Sequence, residues 1–161
     1  MASANRLSRI VAKLRKFPAS AFLITKAFTS QVPFAGTGGI RFEVLEEGRA
    51  VLSIRNRRKV QNHIRGVHAS AMGLLAETAT GAVLGMTLPD NKIPLMKSMH
   101  IDYVRRAKGG LRAEATLTPE LRQRVLTEDK GDFAVPIRVT DEAGEEPLKA
   151  QMVWAWVPKK K

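Results

Sequence analysis

The chain reads as an α+β protein in which a curled antiparallel sheet of about six strands wraps one long central helix. Two observations carry this reading. From residue 66 to about residue 88 small residues dominate, and no Lys or Arg occurs between Arg65 and Lys92. A helix there has no solvated face and must be enclosed by the rest of the chain. On either side of it, apolar residues recur at every second position, which is the period of half-buried strands. At 161 residues the chain is long enough to bury such a core.

The elements follow in order. Leu7, Ile10, Val11 and Leu14 keep helical spacing beside Arg6, Arg9 and Lys13. This predicts an amphipathic helix, broken at Phe17-Pro18, whose apolar face docks on the domain. Residues 31–39 read as a turn-rich connector. Residues 1–38 are therefore expected to form an N-terminal helical extension, and 39–161 the main domain. Ile40, Phe42 and Val44 alternate with Arg41 and Glu43; Glu46-Glu47-Gly48-Arg49 supplies a tight turn, and 50–55 returns as the second arm of a hairpin. The central helix is ended by Pro89-Asp90-Asn91. Alternating stretches at 99–103, 111–117, 133–139 and 148–156 complete the strands, and Pro136 puts the third of them at an edge or a bulge. Open sheet edges favour dimerisation by sheet extension.

Composition excludes several chemistries. The chain has no Cys, which removes disulfides, thiolate metal sites and a cysteine nucleophile and fits a reducing, cytoplasmic setting. The three His do not have the spacing of a metal-binding set, so no metal is expected. No apolar run approaches the ~20 residues needed to span a membrane. The net charge of +12 invites a nucleic-acid reading. However, seven Lys and Arg precede the first acid, Glu43, leaving +5 for the rest, and the single Tyr provides no base-stacking platform. Nucleic-acid binding is thus disfavoured, and the basic surface equally suits a phosphorylated carrier. The Trp154/Trp156 stripe reads as core, and His100 points outward on its strand.

The chemistry concentrates around the central helix. Asn62 and His68 stand just before it, and Glu77 is an isolated acid within its apolar span. A carboxylate in such surroundings costs stability unless something uses or compensates it. On structural readings Glu77 would pair with a buried Arg or cap a backbone group, His68 would be a satisfied helix-start residue, and Asn62 and His63 would be turn residues. His68 and Glu77 are nine positions apart, so on a helix they lie about 13 Å apart and half a turn out of phase. They cannot converge on one small group within a chain. A functional set needs Asn62 and His68 of one subunit to face Glu77 of another, which makes a homodimer, or a dimer of dimers, a condition of function.

The spacing Asn62-x5-His68-x8-Glu77 resembles the signature of phenylacetyl-CoA-type acyl-CoA thioesterases of the hotdog fold, which carry an Asn, a His-Gly-Gly and an acid in an L-A-D-x-A helix. Asn62-His63, Val67-His68-Ala69, Leu75-Ala76-Glu77-Thr78-Ala79-Thr80-Gly81 and Ile101-Asp102-Tyr103 are similar to a less characterised bacterial branch of that group. The resemblance runs from about residue 14 to residue 159. It implies that Glu77 is the nucleophile or the general base on a water, with His68 and Asn62 orienting the carbonyl or that water. The backbone N–H groups of Ala69 and Ser70, at the positive helix end, would stabilise the oxyanion. Two features depart from the pattern. Ala69 and Ser70 replace the glycines after the His, and the polar residue some relatives carry on the following strand falls at Met96, where Ser98 on the same face could substitute.

Met72, Leu75, Met96 and Ser98 are expected around the acyl group. Arg57, Arg58 and Lys59, with Arg105, Arg106 and Lys108, resemble the positions that meet coenzyme A phosphates, for which guanidinium groups are well suited. The expectation is a hydrolase acting on an acyl-CoA thioester as its small-molecule substrate, with no metal or redox cofactor. A hotdog dehydratase or hydratase and a non-catalytic acyl-CoA-binding protein remain the alternatives.

Overall fold

The computed structural model describes residues 5–160. Helix α1 (Arg6–Leu14) starts at Asn5, which uses its whole carboxamide. The Oδ1 atom accepts from Ser8 N–H at 2.7 Å and caps the helix. The amide group donates to the Gly85 and Leu88 carbonyls, at 2.7 and 2.6 Å, near the end of the central helix. Val11 is buried and Leu7 and Leu14 pack on the core, so the face they form docks on the domain, whereas Ile10, expected on the same face, is 39% exposed. Helix α2 (Ser20–Gln31) follows, and then α3 (Pro33–Gly38). The connector expected at 31–39 is thus largely a short helix. Pro33 opens it, where a missing N–H costs nothing, and Gly39 closes it at φ 73°. The Arg57 guanidinium lies so close over Gly39 that no Cβ would fit there.

The hairpin β1 (Arg41–Glu46) and β2 (Arg49–Ile54) forms as expected, with a register shift between Phe42 and Val44. A 3-10 turn at Arg58–Val60 leads to the central helix α4 (Ala69–Thr87), and β3 (Lys92–Tyr103), β4 (Leu111–Thr116), α5 (Pro119–Thr127), β5 (Gly131–Val135), β6 (Ile137–Asp141) and β7 (Leu148–Pro158) complete the chain. There are seven strands in two antiparallel sheets, ordered β1-β2-β4-β6 and β3-β7-β5. The count exceeds six because Pro136 interrupts the expected fifth strand. Its first half pairs with β7 and its second half with β4. A proline cannot donate to a ladder, so this is a natural place to change sheets.

Strands of both sheets contact α4. Its Ala76, Ala79 and Val83 are fully buried in the core that they share with Leu52, Ala113, Ala115 and Met152. The small residues let β7 come close. A Cβ at Gly81 would lie 2.8 Å from the Trp154 ring, whose indole N–H donates to Thr80 Oγ1 at 2.8 Å. Trp156 is also fully buried and donates to the Glu128 carbonyl at 2.9 Å, so both tryptophans are core residues.

Candidate active site

Helix α4 starts at His68, which has extended backbone geometry. The His68 ring Nδ1 accepts from Ser70 N–H at 3.1 Å, filling the capping role usually taken by a hydroxyl or carboxylate. This occupies one of the two amides expected to face an oxyanion. The other, Ala69, is at the first helical position, where no intrahelical acceptor exists. Upstream, Asn62 Oδ1 accepts from Ile64 N–H at 3.1 Å and Gly66 N–H at 3.0 Å. That is an Asx turn. It fixes the loop in which Arg65 takes the left-handed conformation, φ 62°.

Glu77 lies two turns along the same stripe of α4 as Ala69 and Gly73. These three line a cavity of about 610 Å³ together with Ser70, Leu74, Val32, Phe34, Met99, Ile101 and Tyr103. Burial raises the Glu77 carboxyl above its ordinary value, and a 3.3 Å hydrogen bond from Thr78 Oγ1 only partly opposes this. Among the described residues no cation pairs with it. A half-buried carboxylate with no cationic partner, facing an apolar-walled cavity, has the chemistry to accept a proton from a water or to attack an electrophile. The Tyr103 hydroxyl donates to the Ala69 carbonyl at 2.8 Å and ties β3 to the start of α4. Burial raises its phenol as well.

The expected site residues are divided by the structure. Ala69, Ser70 and Glu77 share the cavity, whereas Asn62 and His68 of the same chain do not line it. Met72 and Leu75 are not pocket residues. They are 8% and 0% exposed, on the face of α4 turned into the core. Met96 packs on the core and Ser98 is exposed on β3; neither lines the cavity. The apolar wall comes instead from Val32, Phe34, Leu74, Met99 and Ile101. Their signal in the sequence was partial. Gly73 is one helical turn before Glu77, and Met99, Ile101 and Tyr103 alternate as a strand should, but the face they form lines this opening, and of the three only Ile101 also packs on the core.

The basic candidates are also unequal. Arg105 is spent on Glu145 at 3.1 Å and on buried Asp141 at 3.9 Å. Arg106 donates to the Ile64 carbonyl at 3.0 Å and joins the 104–110 loop to the one before α4. Arg57 lies over Gly39. Arg58, Lys59 and Lys108 are exposed. Among the described residues no group of three or more His, Asp or Glu could hold a metal ion, and no helix is long and apolar enough to cross a membrane.

A long apolar helix embraced by antiparallel strands is the architecture of the hotdog fold. The chain belongs to the family described as a domain of unknown function, DUF4442, whose profile matches residues 20–157. Solved structures agree on the fold. A Pseudomonas aeruginosa protein of unknown function, PA5026, described as a probable thioesterase, superposes with a TM-score of 0.78 at 28% identity, covering 85% of this chain and 95% of that one. The P. aeruginosa thioesterase PA1618 gives 0.68 at 16% identity, covering 84% and 94%. The Haemophilus influenzae thioesterase HI1161 gives 0.63 at 14%, covering 78% and 82%. No curated protein matches the chain.

Proposed function

We propose that this protein is an acyl-CoA thioesterase whose site is completed across a homodimer. The carrying observation is Glu77, a carboxylate with a raised pKa and no cationic partner, set in the wall of a largely apolar cavity of about 610 Å³. The thioesterases among the structural neighbours support the same reaction class. In this reading Glu77 activates a water, or attacks directly, at the thioester carbonyl, and an amide at the start of α4 receives the oxyanion.

The dimer follows from helix geometry. Ala69 and Glu77 share a stripe but lie about 12 Å apart along α4. One carbonyl must be within about 3 Å of both the attacking group and the oxyanion donor. Two antiparallel copies of α4 would bring the start of one helix over Glu77 of the other and form two equivalent sites. Asn62 and His68 then serve the partner's Glu77. Arg58 and Lys59, exposed on the turn before α4, and the exposed Lys108 are the candidates for coenzyme A phosphates.

The test is thiol release from a panel of aliphatic and aryl acyl-CoA esters; the absence of Cys in the protein keeps the background low. Turnover that falls by about 100-fold or more in Glu77→Ala supports the reading. Tight binding with no turnover across the panel would replace it with a carrier or sensor.

A further inference from the structure

Four of the large apolar side chains left in solvent converge on one place. Phe34 is 69% exposed, Met99 51%, Tyr103 49% and Val32 38%, and all four border the Glu77 cavity. Met99 and Tyr103 come from β3, on the main domain. Val32 and Phe34 come from the junction of α2 and α3, well before the Asn62–Glu77 stretch. Exposed apolar side chains gathered around a cavity are characteristic of a surface completed by an apolar ligand. The lining contains no Lys, Arg or His, and its only charged group is the Glu77 carboxylate. That composition favours an uncharged acyl group and disfavours one ending in a second carboxylate, which would meet Glu77 with no cation in the lining to offset the repulsion.

We infer that Val32 and Phe34 are the specificity-determining wall for the acyl group, so that the helical segment preceding β1 sets chain length. This rests on the thioesterase reading of Glu77. Phe34 is the stronger determinant because it is the larger and more exposed of the two. Pro33 between them fixes the start of α3 and therefore the direction from which the ring approaches.

The experiment measures kcat and KM for straight-chain acyl-CoA esters from two to sixteen carbons with wild type, Phe34→Ala, Phe34→Trp and Val32→Ala. Light scattering gives the molar mass of each variant. The expected result is a displaced profile. Phe34→Ala lowers kcat/KM for the best wild-type ester by roughly 10-fold and moves the optimum to longer chains, since one or two methylenes in an apolar pocket are worth about 10–200-fold. Phe34→Trp moves it to shorter chains.

An unchanged profile in folded variants overturns the inference and leaves the thioesterase reading intact. A changed molar mass with an unchanged profile overturns it in favour of these side chains packing against a second copy. If wild type turns over no ester, the reading of Glu77 fails, and chain-length dependence of acyl-CoA binding, measured by calorimetry on wild type and Phe34→Ala, still decides the inference. An identical dependence, or no binding at all, overturns it.

Discussion

The Tyr103 hydroxyl donates to the carbonyl of Ala69 across 2.8 Å, so the last residue of β3 holds the first residue of α4 in place. The contact is on the rim of the Glu77 cavity, and it sets the start of α4 relative to the apolar wall of β3.

Tyr103→Phe should keep the ring and lose the tether. A partly exposed hydrogen bond is worth about 0.5–1 kcal/mol, so Tm should fall by no more than about 4 °C for a chain of this size. Activity should suffer more, with kcat/KM several-fold lower because the helix start is less well placed. Thermal melts and acyl-CoA kinetics measured together check this; equal, small losses in both would make Tyr103 only a packing residue.

Glu77→Gln should be inactive yet more stable at neutral pH. The wild-type carboxyl is raised above its ordinary 4.5 by burial. Between that value and the raised one the folded chain holds more protons than the unfolded chain, so stability declines as pH rises through the window. Glutamine does not titrate. Denaturant midpoints should therefore favour the variant at pH 7–8, and the gap should close toward about pH 4.

Asp141 has the opposite sign. Burial opposes its ionisation, but N–H donors from Lys108 and Ala143 at 2.9 Å and Glu145 at 3.1 Å, with Arg105 nearby, outweigh that and hold its pKa below the ordinary 3.8. The stability it contributes is present above that value and is lost as pH falls below it. Asp141→Asn turns an amide toward the Lys108 N–H and should cost about 1–3 kcal/mol in urea denaturation at pH 7.

Gly81→Ala should destabilise despite its better helix propensity. The new methyl would meet the Trp154 ring at 2.8 Å. Overpacking costs of about 1–3 kcal/mol exceed the gain of about 1 kcal/mol from replacing a helical glycine. Tm should fall; a rise would show that β7 yields easily to α4.

Mixing Glu77→Gln with His68→Ala should restore part of the activity through hybrid dimers, each with one intact site. Mass spectrometry confirms subunit exchange. Inactivity in verified hybrids would refute a site shared in this way.

The central helix and the hairpin were legible because their signals are chemical and local: an absence of Lys and Arg over 66–91, and a two-residue period either side of Gly48. Helix α5 carries a weak sequence signal because only Leu121 and Val125 mark its inner face. Its start was nonetheless written in Thr118-Pro119-Glu120, with Thr118 Oγ1 accepting from Leu121 N–H at 3.3 Å. At the site, Glu77 as the one acid of α4 could be read from composition. Which apolar residues face it could not, because Met72 and Met99 look alike in sequence and only the packing sends one inward and the other to the opening. Val32 and Phe34 come from a segment that carried no periodicity at all.

Pro136 has a last consequence. Val135 pairs with Met152 in one sheet, while the Pro136 carbonyl accepts from Thr116 N–H at 3.0 Å in the other. A single residue thus stitches the two sheets together. Strands β5 and β6 on either side of it should therefore gain or lose hydrogen-exchange protection together, although they belong to different sheets.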